Sequence, residues 1–281
     1  MMKSIVVTLD GSKSSENACS LALEIAGRTG AALVGLGVLD VPWVTAPRAT
    51  PIGGGSYQTH RNQELLAKGR ESLRQRIDAF HVRCDAAGVS CGAIGAEGDP
   101  VEQIDQEADR HDMIVIGRDT NFHGDQDHDI GETVERLIHD NPRPLMIAPA
   151  EIPPTADPNI VVVTFDGSVT ASRAMHMFLL LGLADGREIH VVSVNADGAK
   201  ATAMAERGAA LFRNHGVKAE ANGVKSTGDP GATILGAANA ARAGRLVMGA
   251  FGHDGLLRRT FLGSTTKRLL REATMPVFVH H

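Results

Sequence analysis

Apolar residues fall in short uninterrupted blocks along this chain, and between the blocks they recur every three or four positions. Blocks of that kind suit strands buried on both faces, and the intervening spacing suits helices with one apolar side. The pattern predicts strands over residues 5–9, 32–39, 89–93, 112–117 and 144–149, with helices over 14–30 and 58–87. A second series follows: a strand running up to Asp166, then strands over 188–194, 217–224, 245–249 and 276–280, with helices over 170–186 and 199–215. In both series a last helix precedes the last strand. A segment with three prolines and Gly53-Gly54-Gly55, residues 41–56, occurs only in the first series and reads as an exposed insertion.

The two series are one unit written twice. Ile5-Val6-Val7-Thr8-Leu9-Asp10-Gly11-Ser12 returns 156 residues later as Val161-Val162-Val163-Thr164-Phe165-Asp166-Gly167-Ser168, and Gly98-Asp99-Pro100 returns as Gly228-Asp229-Pro230. Both Gly-Asp-Pro triplets open a helix, where proline is tolerated. The prolines of segment 150–158 mark a stiff linker, so the expected division is residues 1–150 and 151–281. Alternating strands and helices predict an α/β fold, two tandem doubly wound domains each with a five-stranded parallel sheet flanked by helices, and ligands beyond the carboxyl ends of the strands.

Composition narrows the function. With 281 residues, a net charge of −5 and only 4% aromatic residues, the chain has neither the basic footprint nor the stacking platforms of a nucleic-acid binder. No apolar run approaches the ~18 residues of a membrane span, so no membrane partner is expected. Cys19, Cys84 and Cys91 lack C-x-x-C spacing and read as buried thiols of a cytoplasmic protein.

The candidate chemistry lies near the end of the chain. Leu246-Val247-Met248-Gly249-Ala250-Phe251-Gly252, a basic loop and then Gly263-Ser264-Thr265-Thr266 read as strand, glycine turn, loop and helix start. Backbone N–H groups at such a start, with the hydroxyls of Ser264 and Thr265, suit a phosphate. An ordinary turn followed by a serine N-cap accounts for the same residues equally well. Neither the Gly-Lys-Ser/Thr phosphate loop nor the dinucleotide G-x-G-x-x-G occurs.

This stretch resembles the universal stress protein motif G-x2-G-x9-G-[ST], with ten residues rather than nine between Gly252 and Gly263. The repeat extends the resemblance to a tandem member over almost the whole chain. The resemblance implies the adenine nucleotide alpha hydrolase-like fold and two domains that pair through their last strands as an internal pseudo-dimer, with homodimerisation open. It also implies ATP, with Mg2+ as a companion, as ligand. It places Thr164, Asp166, Val194 and Met248 at the nucleoside, and Gly249, Gly252, Gly263, Ser264 and Thr265 at the ribose and phosphates. Arg258, Arg259, Lys267, Arg268 and Arg271 would form a cationic surround, although a solvated helix face suits Arg271 better.

The first copy departs from the motif. It reads Gly117-Arg118-Asp119-Thr120 without a second glycine, and Asp119, Asp125, Asp127 and Asp129 precede Gly131. Those carboxylates would repel a triphosphate, so one nucleotide per chain is expected. His123 and His128 in that loop match no metal motif. No catalytic set is legible, and the expected function is a stress-response protein that holds ATP as a structural or signalling ligand. A nucleotide-free scaffold or a weak ATPase are the alternatives.

Overall fold

The structure, a computed structural model, describes residues 1–47, 55–122, 130–250 and 263–281. In the first half β1 (Ser4–Thr8), α1 (Lys13–Thr29), β2 (Ala32–Asp40), α2 (Val41–Thr45), α3 (Gly55–Ala87) and β3 (Cys91–Gly98) come first. They are followed by α4 (Pro100–Ala108), β4 (Met113–Gly117), α5 (Glu132–Asp140) and β5 (Leu145–Ala148). The second half repeats the order without a counterpart of α2. It runs β6 (Asp157–Thr164), α6 (Val169–Leu180), β7 (Glu188–Asn195), α7 (Gly198–Asn214), β8 (Ala219–Lys225), α8 (Pro230–Ala240), β9 (Ala243–Gly249), α9 (Ser264–Glu272) and β10 (Val277–His280).

All ten strands join one sheet in the order β3-β2-β1-β4-β5-β10-β9-β6-β7-β8. Pairing is parallel within each half, and the halves meet where β10 runs antiparallel to β5, with Phe278 opposite Met146. One apolar cluster covers each face, and both clusters draw residues from both halves. Phe178 of α6 meets Phe278 edge to face at 5.3 Å, at the centre of one of them.

The repeated Asp-Gly-Ser sequence folds the same way twice. Gly11 and Gly167 take φ +84° and +82°, values that a side chain would strain, and Ser12 and Ser168 then cap α1 and α6. Three predicted boundaries move. Residues 41–45 are helical rather than irregular, because Asp40 accepts the N–H of Trp43 at 2.8 Å and Pro42 suits a first turn. The helix predicted to reach residue 186 stops at Leu180, and Gly182 turns the chain at φ +76°. β6 begins at Asp157, inside the predicted linker, and pairs with Ala243 ahead of a register shift.

Beside the strand pairing lies a polar clamp between the halves. Glu24 of α1 accepts from Arg245 at 2.7 Å and from Arg187 at 3.0 Å, and both arginines also donate to the carbonyl of Pro158. The arginine side chains are only 2–3% exposed whereas Glu24 is 39% exposed. Removing the carboxylate would leave two guanidinium groups buried without an anion, a change that costs about 3–5 kcal/mol for a fully buried pair. Glu24→Ala is expected to lower the unfolding free energy by an amount near the ~3 kcal/mol end of that range, since Glu24 is partly solvated. Urea unfolding of the full chain measures it, and a change within the scatter of ordinary surface substitutions would remove the clamp from the account.

Candidate functional site

The strand order reverses between β6 and β9, and their carboxyl ends open a crevice of the kind in which α/β sheets bind ligands. A cavity of about 340 Å³ occupies that crevice, a volume within the ~300–1,000 Å³ of small-molecule sites. Thr164 and Asp166 follow β6, Val194 ends β7, Met248 and Gly249 end β9, and Gly263, Ser264 and Thr265 begin α9. All eight line this one cavity. Gly252, Arg258, Arg259, His123, His128 and the aspartates at 125, 127 and 129 lie outside the described residues.

The lining of the cavity is partly apolar and partly polar. Val192, Val194, Met248 and Ile234 supply aliphatic walls, whereas Ser168, Thr170 and the start of α9 supply hydroxyls and N–H groups. Gly263, not Ser264, is the N-cap residue of α9, and no cap side chain answers the first N–H groups of the helix. The first intrahelical bond runs from Lys267 N to Gly263 O at 2.9 Å. This corrects the serine-cap reading: Ser264 is the first helical residue and lines the cavity. No acidic residue stands in the first turn of α9, so the positive end of its dipole is not offset there.

Two expectations change in detail. Gly249 is required by packing rather than by approach to a ligand, since a Cβ there would lie 2.5 Å from the backbone nitrogen of Ala171 in α6. A Cβ on Gly263 would meet no atom of the described residues within 4 Å. The expected cationic surround is also reduced, because carboxylates already pair its described members. Arg268 sits 3.3 Å from Asp229, Arg271 3.5 Å from Glu272 and Lys267 3.9 Å from Glu135. Asp166 is exposed at the rim, where it accepts the N–H of Ser168 at 2.9 Å, so the turn role foreseen for it is fulfilled.

The corresponding region of the first half is filled by its own chain. Gly131 matches Gly263, but a Cβ on Gly131 would lie 2.2 Å from the carbonyl oxygen of Thr120. Thr120 is fully buried, and Gly131 N donates to Arg118 O at 2.8 Å, which draws the strap 118–120 against the start of α5. Asp119 accepts a hydrogen bond from Ser14 on the first turn of α1, the position that matches Thr170 at the second-half cavity. Glu132 and Glu135 stand in the first turn of α5. Carboxylates of the protein therefore occupy the helix starts that the second half leaves open to an anion.

Comparison with known proteins agrees with this doubled architecture. The model of the universal stress protein family matches residues 1–149 and 158–281. The chain belongs to the universal stress protein family. A curated member, universal stress protein Slr1230 of Synechocystis, is 25% identical over 168 residues, which span 59% of this chain and 56% of that protein. The crystal structure of a universal stress protein from Archaeoglobus fulgidus superposes with a TM-score of 0.70 at 23% identity, over 99% of this chain and 95% of that one. PA1789 of Pseudomonas aeruginosa, described as functionally unknown, gives a TM-score of 0.57 at 18% identity over 99% and 92% of the two chains. These superpositions show the fold of the family in tandem.

Sequence reasoning missed several residues that line the cavity of this family member. Pro230 and Ile234 enter from the start of α8, and Ser168 and Thr170 from the start of α6. The repeated Gly-Asp-Pro and Asp-Gly-Ser triplets were the available signals, since both fall at carboxyl ends of strands. All three thiols are free, with Cys19 and Cys84 buried, and burial pushes the Cys19 thiol up to about 11. His280 pairs in register with Gly249, and its Nδ1 is buried with no hydrogen-bond partner among the described residues. Burial, then the charges of His281 and Arg173, pull its pKa down to about 4 from 6.5. The unfolded chain thus binds more protons than the folded one between those values, and stability falls on acidification through that window. Melting temperature followed from pH 7 to 4 should decline less in His280→Leu than in the parent protein, and parallel curves would contradict the assignment.

Proposed function

We propose that this universal stress protein binds one adenine nucleotide in its second half, ATP with Mg2+ on the phosphates, and uses it as a structural or signalling ligand in the cytoplasm. The observation that carries the reading is the polarity of the cavity. Its aliphatic lining, with Val194 and Met248, suits a flat base, and the start of α9, capped by Gly263 without a side-chain bond, offers N–H groups to phosphates. Thr164 ends β6 and Asp166 follows it, between β7 and β9 in the sheet, and their hydroxyl and carboxylate groups suit a ribose and a hydrated cation. The first half binds no nucleotide in this reading, because Asp119, Glu132 and Glu135 put carboxylates at the helix starts where phosphates would go. No step of catalysis is assigned to any residue.

Two glycine substitutions test the reading, and they should act in opposite ways. Gly263→Ala adds a methyl group that meets no atom of the described residues within 4 Å, at an ordinary φ of −59°, so thermal stability without ligand should stay unchanged. Its ATP affinity should fall by about tenfold or more, equal to ~1.4 kcal/mol or more, because the methyl group enters the phosphate space. Gly131→Ala drives a Cβ against Thr120, so it should lower the melting temperature and weaken ATP binding clearly less than Gly263→Ala does. Titration calorimetry beside thermal unfolding measures both quantities. Equal loss of affinity in the two variants would place the ligand elsewhere, and no ATP binding by the parent protein would favour the nucleotide-free scaffold.

A further inference from the structure

Arg118 has no counterpart in the second half, where the matching residue is Ala250. The backbones agree: Arg118 N donates to Ala148 O at 2.8 Å and Ala250 N to His280 O at 3.0 Å. The side chain does something that alanine cannot. Arg118 Nη1 reaches across the junction of the halves and donates to the carbonyl oxygens of Arg271 at 2.9 Å, Ala273 at 3.0 Å and Leu270 at 3.4 Å. These carbonyls belong to the last turn and C-cap of α9, where a helix leaves acceptors unpaired and where its dipole favours a cation.

We propose that Arg118 is a positioning residue for the ligand site of the second half, holding α9 by its C-terminal end so that its N-terminal end stays aimed into the cavity. The inference rests on the reading of that N-terminal end as the phosphate site. α9 is a single stretch of nine residues, about 13 Å long, and a helix this short moves as one rod. Lys267 to Glu135 at 3.9 Å adds a second tie from α9 to the first half. The residue after Arg118 is Asp119, whose carboxylate is held by Ser14 of α1, and Gly131 N is held by the Arg118 carbonyl. The strap that closes the first site is therefore also the handle on the second site. The first half, in giving up a ligand of its own, has become part of the support of its partner's site.

Arg118→Met keeps most of the aliphatic stem and removes the donors, and Arg118→Lys restores a cation that can reach the same carbonyls. The expected result is a Kd for ATP raised roughly 2- to 30-fold in Arg118→Met, the span reported by residues that couple to a site without touching the ligand, with partial recovery in Arg118→Lys. The comparison is made at a temperature where circular dichroism shows every protein folded, so that a loss of global stability alone would leave Kd unmoved. Hydrogen exchange on the parent protein gives a second readout that needs no variant. Because coupling is reciprocal, saturating ATP should slow exchange at the amides of Thr120 and Gly131 in the strap. An ATP-binding parent whose Kd survives Arg118→Met and whose strap amides ignore ATP overturns this inference alone. A parent that binds no ATP overturns it together with the reading on which it rests.

Discussion

The antiparallel pairing of β5 with β10 is the constraint from which the rest of the architecture follows. A five-stranded parallel sheet built from either half would end in a last strand with one row of N–H and C=O groups unpaired, an edge that other chains can add to. Here each half covers the edge of the other, with Val277, Phe278 and Val279 opposite Ile147, Met146 and Leu145. That pairing makes one ten-stranded sheet, lets both apolar clusters run through both halves and fixes where every strand ends. It also brings the last helix of each half near the other, which is why residues of the first half can touch α9 at all.

Joining the halves in one chain removes the need for them to be identical, and the structure shows how far they have diverged. Glu24 belongs to the first half while Arg187 and Arg245 belong to the second, so the clamp has one direction and no mirror image. In the first half Thr120 packs beside Gly131, whereas the match of Thr120 in the second half, Gly252, lies outside the described residues. Like-charged groups complete the contrast, with glutamates in the first turn of α5 and none in that of α9. An anion offered to both helix starts meets repulsion from first-turn glutamates at one and no first-turn carboxylate at the other.

Much of this was legible in the sequence, for identifiable reasons. The Asp-Gly-Ser and Gly-Asp-Pro triplets carry backbone requirements, a positive φ in one case and a helix start in the other, and so they locate turns in any context. Buried parallel strands are apolar on both faces, which made the order of elements readable from their blocks. Thr164, Asp166, Val194, Met248, Gly249, Gly263, Ser264 and Thr265 were singled out before any geometry was available, and they surround one cavity. What the sequence hid depends on contacts between distant residues. Nothing local distinguishes Gly249, needed for a close approach to α6, from Gly263, where a Cβ would meet no described atom, and nothing local says that Arg118 spans the junction. The cations expected around the phosphates could not be discounted until their carboxylate partners were in place. The serine-cap alternative could not be set aside from sequence, because serine caps so many helices, and the structure makes Ser264 the first helical residue instead.

The central claim is that the two halves of this universal stress protein share a fold but only the second holds a nucleotide. Titration calorimetry of the intact chain with ATP and Mg2+ measures this directly as a stoichiometry. One equivalent of ATP per chain is the result that the proposed function requires. Two equivalents per chain would contradict the closure of the first site by strap 118–120, and no heat of binding at any ATP concentration would contradict the site itself.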